Sequence, residues 1–162
     1  MDFSITNIIN KNMQKQTVDT ILSCNEISRK YALTLTKEQA IKLVENKNSS
    51  LKSNGRVEFE GDIINKIILG FCNSAYISMY NYEETLNNLV ELFFYYKNET
   101  NDLMSDDELI EFMSKEFEGK AFGSIDKLRD DCLEKLVQNL KNGKPINDSE
   151  EEEVALSEDD YE

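Results

Sequence analysis

The chain carries a single proline, Pro145, so no position before it forbids an α-helix. The glycines are few and fall where helical stretches would stop. With 162 residues, 40% of them apolar, the chain is long enough for one hydrophobic core. These features predict an all-α body, a compact bundle of about six helices over residues 1–145, followed by a separate tail, 146–162.

Apolar spacing and capping signals place the helices. From Lys15 to Leu33, the residues Val18, Ile21, Cys24, Tyr31 and Ala32 share one broad side. Thr36-Lys37-Glu38-Gln39 reads as a capping box, contributing about 1 kcal/mol, and opens a helix with Ala40, Ile41, Leu43, Val44 and Leu51 inward. Gly55 is placed to close it in the left-handed conformation. Residues 56–60 alternate polar and apolar, which predicts a short extended segment, and Asp62 is the expected cap of the next helix. That helix places Ile63, Ile64, Ile67, Ile68 and Phe71 on one face and ends at Asn73-Ser74.

Asn81-Tyr82-Glu83-Glu84 reads as a second capping box, opening a helix to about Asn98. Its apolar residues Tyr82, Leu86, Leu89, Val90, Leu92, Phe93, Phe94 and Tyr96 cover more than half the circumference, so other helices must surround it. Ser105-Asp106-Asp107-Glu108 is a third box, followed by Leu109, Ile110, Phe112, Met113 and Phe117 up to Gly119. Ser124 or Asp126 begins the last helix, with Leu128, Cys132, Leu133, Leu136, Val137 and Leu140 inward, until Gly143 and Pro145 end it.

Charge and missing side chains exclude several functions. There is no histidine, which removes imidazole triads, proton shuttles and His-ligated metal sites. The net charge is −14; residues 146–162 hold nine acids and no Lys or Arg, leaving −5 for residues 1–145. Such a balance argues against nucleic acid or an anionic membrane as partner. The tail holds too little apolar surface to order itself and reads as disordered, its plainest use being solubility through self-repulsion. No run approaches the roughly 20 apolar residues of a membrane span, and the start lacks the pattern of an export signal. Cys24, Cys72 and Cys132 are odd in number and widely spaced, which speaks against a disulfide framework and for a cytoplasmic protein.

Several residues invite a functional reading beside a plain one. Arg56, one of three arginines, stands with Glu58, Glu60 and Asp62 in a glycine-bounded break. Together they are a candidate binding or acid–base site, or else helix caps at facing termini. Arg129 falls within the apolar arc of the last helix, where it either holds an ion pair that positions a ligand or lays its stem along the helix and keeps its head wet. Tyr76 and Tyr80, with Tyr82, flank a helix start and suit an interface or the core. The cysteines read as buried and structural, since no cationic surroundings favour a thiolate. The acids at 102 and 106–108 lack the glycine and ligand alternation of a calcium loop, so no metal or other cofactor is expected. Phosphate-binding glycine loops and the serine-hydrolase elbow are missing from the sequence.

A set of phrases carries a family resemblance. They are Thr36-Lys37-Glu38-Gln39-Ala40, Asn54-Gly55-Arg56-Val57-Glu58-Phe59, Phe71-Cys72-Asn73-Ser74 followed by Tyr76-Ile77, Phe93-Phe94-Tyr95-Tyr96-Lys97-Asn98-Glu99, and Ser105-Asp106-Asp107-Glu108-Leu109-Ile110. In order and spacing over residues 35–140 they resemble a family of small uncharacterised proteins of clostridia and other Firmicutes, a domain of unknown function. The resemblance implies an intracellular helical protein and no activity. Glu60 stands before Gly61 where the family pattern has glycine, which argues against a backbone-lined anion pocket there.

Three functions follow as expectations. The first is a non-catalytic adaptor or regulatory protein that binds an unidentified protein partner or a second copy of itself. The second is a small enzyme using carboxylate, Tyr or Lys acid–base chemistry near residues 56–62. The third is an acidic mimic of nucleic acid.

Overall fold

The computed structural model describes residues 14–56 and 63–143. Among these the fold is all-α, without a strand. Helix α1 occupies residues 14–23, and α2, Asn25–Ser28, runs into a 3-10 turn at Arg29–Tyr31. The longer helices are α3 (Lys37–Ser53), α4 (Ile63–Phe71), α5 (Tyr82–Glu99) and α6 (Asp106–Glu118). A last helical stretch joins α7 (Ile125–Lys127), a π-helical turn (Leu128–Leu133) and α8 (Glu134–Lys141).

Local signals account for most boundaries. At α3 the Thr36 hydroxyl accepts from Gln39 N–H at 3.2 Å, and the Gln39 side chain accepts from Thr36 N–H at 2.9 Å. Ser105 and Glu108 make the same reciprocal pair at α6. Helix α3 ends in a Schellman motif: Gly55 has φ 64°, Arg56 N–H reaches Leu51 C=O at 2.8 Å, and Gly55 N–H reaches Lys52 C=O at 3.1 Å. Ser124, not Asp126, caps α7, its hydroxyl accepting from Lys127 N–H.

The capping box expected at Asn81 does not form. The Asn81 side chain turns back into the preceding loop, accepting from Ser78 N–H at 2.8 Å and donating to Tyr76 C=O at 3.1 Å. It fixes the 76–81 turn, and α5 begins without a side-chain cap.

The first helix is also shorter than its period predicts. Ala32 adopts φ 62°, with Leu33 N–H bonded to Ser28 C=O, so the chain leaves the helix there. Tyr31 and Ala32, expected to face inward, are exposed, while Ser28 and Leu33 are buried in their place. Asn25 then stitches the departing chain to α2 through both the N–H and the C=O of Leu35.

The buried residues form a continuous cluster around α5, which packs on α3, α4, α6 and α7. All eight apolar residues named for α5 and all five for α4 are buried. Asn46 bonds Asn87 and Asn98 bonds Asn54, so α3 and α5 run parallel. Lys66 pairs with Asp107 and Ser114 bonds Gly70, so α4 and α6 do likewise. An up-and-down succession of helices gives this arrangement. The segment expected to be extended, the Asp62 cap and the acidic tail lie outside the described residues.

Candidate functional site

Two groups of candidate residues separate in space. Arg56 leaves the Schellman turn of α3 beside the end of α5, because the two helices run parallel. Its guanidinium donates to Asp102 Oδ1 at 2.6 Å, to Asp102 Oδ2 at 3.3 Å and to Asn98 Oδ1 at 2.5 Å. Asn98 in turn donates to Asn54 C=O at 2.8 Å. The Arg56 hydrogen bonds hold the Asp102 carboxyl below its ordinary range. Arg56 therefore clamps the α5–α6 turn, where Asn101 and Asp102 both have positive φ. Glu58 and Glu60, its expected companions, lie outside the described residues.

Arg129 sits on the exposed side of the π-helical turn, 2.9 Å from Asp130 and 3.2 Å from Asp126. Its head is wet, and its hydrogen bonds to Asp130 hold that carboxyl below the ordinary range. Behind it, Tyr96 donates to the Glu134 carboxylate, and burial with this bond raises the Tyr96 phenol.

The second group lies on three adjoining turns. The α4–α5 connection, residues 72–81, carries Tyr76, Met79 and Tyr80. Tyr76 packs on the α6–α7 turn so tightly that a Cβ on Gly123 would lie 2.4 Å from its Cβ and Cγ, and its ring meets Phe117 edge-on. Met79 Sδ lies 3.4 Å from Thr34 N, which joins the same connection to the turn after α2. Exposed on these turns are Tyr31 (49%), Tyr76 (39%), Met79 (49%), Phe122 (66%) and Tyr80, which is fully exposed. Tyr82, by contrast, is buried near Ser28 without a well-formed hydrogen bond, and burial pushes its phenol up to about 12.

Phe122 was not singled out by the sequence, and its conformation is unusual. It holds φ 49° in a turn closed by Phe122 N–H to Gly119 C=O and Gly123 N–H to Phe117 C=O. For an L-residue with a bulky side chain the left-handed region costs about 1–2 kcal/mol. The ring recovers little of this by burial, and Lys127 Nζ lies 5.7 Å from its centroid. The available signal was an aromatic beside glycine in an interhelical turn. Lys97 was missed as well: it is 8% exposed, and its ammonium donates to Met104 C=O and pairs with Asp106 at 2.9 Å.

All three cysteines are buried and free. Burial, then the Glu116 carboxylate, pushes the Cys132 thiol up to about 12. A groove of about 620 Å³ lies between α4 and α6, floored by Leu69, Gly70 and Ile110, and another of about 340 Å³ lies between α1 and α3. Neither is lined by Arg56, Arg129, Tyr76 or Tyr80. Among the described residues no group of three Cys, Asp or Glu is placed to hold a metal ion, and no helix is long and apolar enough to cross a membrane.

The model of a family of unknown function, DUF6323, matches residues 20–145, a longer stretch than the phrases alone covered, and the chain belongs to that family. Neither a curated protein nor a solved structure matches it.

Proposed function

We propose that the protein is a non-catalytic binding module that engages another protein through the aromatic surface of its three turns. The observation that carries this reading is Phe122, an exposed phenylalanine held in a left-handed conformation that asparagine or glycine would adopt at lower cost. Folding recovers little of that cost from an aromatic there. Tyr, Phe and Met are also the residue types that supply the central contacts of protein interfaces. The acid–base reading depends on Glu58 and Glu60, outside the described residues, while Arg56 is engaged by Asp102 and Asn98. Three buried free thiols support a reducing compartment such as the cytoplasm as the place of action.

Site-specific photo-crosslinking in the native host tests the proposal. A benzophenone side chain at position 80 or 122 of the full chain is expected to trap one discrete protein. At Tyr95, which is exposed but about 20 Å away along α5, it is expected to trap none. Phe122→Ala should reduce the yield at position 80. Equal trapping from positions 80 and 95, or none from 80 and 122, would overturn the proposal.

A further inference from the structure

We infer that the partner of the aromatic surface is a second copy of this chain, so that the three turns of two copies meet about a two-fold axis. The inference rests on reading that surface as a binding surface, and it names the occupant.

Charge is the first argument. Taken with the helix ends beside them, the three turns span residues 26–38, 72–84 and 118–130, which carry +1, −2 and 0. Thirteen charged side chains there leave only −1, whereas the whole chain carries −14. Two copies therefore meet at this end without the mutual repulsion that their net charge imposes elsewhere. A surface built for a strongly charged partner would instead carry one sign. Among the described residues, Arg29, Lys30, Glu83 and Glu84 form no ion pair. A two-fold interface presents the same patch twice, and a patch with unpaired charges of both signs is able to answer itself.

Area is the second argument. Tyr80 is fully exposed, and Tyr31, Tyr76, Met79 and Phe122 are 49%, 39%, 49% and 66% exposed. At about 200 Å² for a whole side chain, these five offer roughly 600 Å². A standard interface takes about 800 Å² from each partner, so the rings and their charged rim supply what a stable dimer needs.

Rigidity is the third argument. The Asn81 side chain ties Ser78 N–H to Tyr76 C=O, Tyr76 is seated against Gly123, and Met79 meets Thr34 N–H. The turns are joined before anything binds, so little ordering cost is left to association. Covering Phe122 in this way gives a use to a ring that the turn holds out in a left-handed conformation.

Sedimentation equilibrium of the purified full chain, between about 1 and 200 μM, is expected to show a monomer–dimer equilibrium with its midpoint in the micromolar range. Tyr80→Ala and Phe122→Asn should each raise that midpoint about tenfold or more, and Tyr95→Ala should leave it unchanged. Phe122→Asn relieves the left-handed strain, so an unfolding temperature no lower than that of the native chain shows that the loss is not one of folding. A benzophenone side chain at position 80 should give a dimer-sized product, its cross-links mapping to residues 26–38, 72–84 or 118–130 of the other copy. In the native host, the protein trapped from position 80 should be the chain itself. A chain monomeric throughout, a dimer insensitive to both variants, or cross-links confined to other surfaces overturns the inference. If position 80 then traps a different protein in the host, the binding reading stands without the inference. If it traps nothing, both fall.

Discussion

Arg56 and Asp102 lie 46 residues apart in sequence and form a two-point ion pair, Nη2 to Oδ1 at 2.6 Å and Nη1 to Oδ2 at 3.3 Å. The pair joins the turn after α3 to the turn after α5 and holds Asn101 and Asp102 in the left-handed region. Planar guanidinium geometry makes this possible, and a lysine could not reproduce it.

Arg56→Lys is accordingly expected to lose nearly as much stability as Arg56→Ala, about 1 kcal/mol by urea unfolding, because both forfeit the paired geometry and the bond to Asn98. The pH dependence has a definite sign. The folded Asp102 carboxyl lies below its ordinary value, so its contribution is present above about pH 4 and is lost as pH falls through the folded value. The stability difference between the native chain and Asp102→Asn should therefore be constant near neutrality and shrink only in acid.

Thr36→Ala and Ser105→Ala should each cost about 1 kcal/mol, additively, since each removes one isolated cap. Asn81 behaves differently because its side chain spans the 76–81 turn. Asn81→Ser keeps a good capping residue type at that position yet is expected to be as destabilising as Asn81→Ala in the same urea titration.

At the α6–α7 turn two neighbouring substitutions should act in opposite directions. Gly123→Ala puts a methyl 2.4 Å from Tyr76 at φ 77° and is expected to cost about 2–3 kcal/mol. Phe122→Asn relieves the left-handed strain and should gain about 0.5–1 kcal/mol, a few degrees in Tm, while weakening partner trapping.

The three thiols should resist alkylation in the native protein at pH 8 and react only as it unfolds, because all are buried and raised above the ordinary thiol range. For Cys132, raised to about 12, the folded state favours the neutral thiol. Its contribution is complete below the unfolded value near 8.5 and is lost as pH rises from there toward the folded value. Cys132→Ala should therefore flatten the alkaline decline in stability measured between about pH 8.5 and 11.

Much of the fold was legible because its causes are local. The isoleucines of α4 recur at helical spacing, the boxes at Thr36 and Ser105 need only residues three apart, and Gly55 closes its helix within one turn. Asn81 shows where this logic stops. Its sequence matches a box, but a carbonyl and an amide supplied by the preceding loop compete for the same side chain. Tyr31 fails likewise, since a left-handed Ala32 one residue later takes the chain off the helix. Of the candidate residues, Tyr80 is exposed, whereas Phe122 carried no signal of spacing, because backbone strain leaves no periodic trace.

The sequence by itself determined most of the helices and, Tyr31 and Ala32 apart, which of their faces are buried, since apolar period and end caps act over four residues or fewer. Tertiary structure alone decided how the charges and exposed rings are used. The parallel course of α3 and α5 gave Arg56 to Asp102, the α5–α6 turn gave the buried Lys97 ammonium an acid and a carbonyl, and the packing of Tyr76 on Gly123 joined two distant turns into one aromatic surface. Such pairings depend on where helices separated by tens of residues come to rest, and no local rule of spacing contains that information.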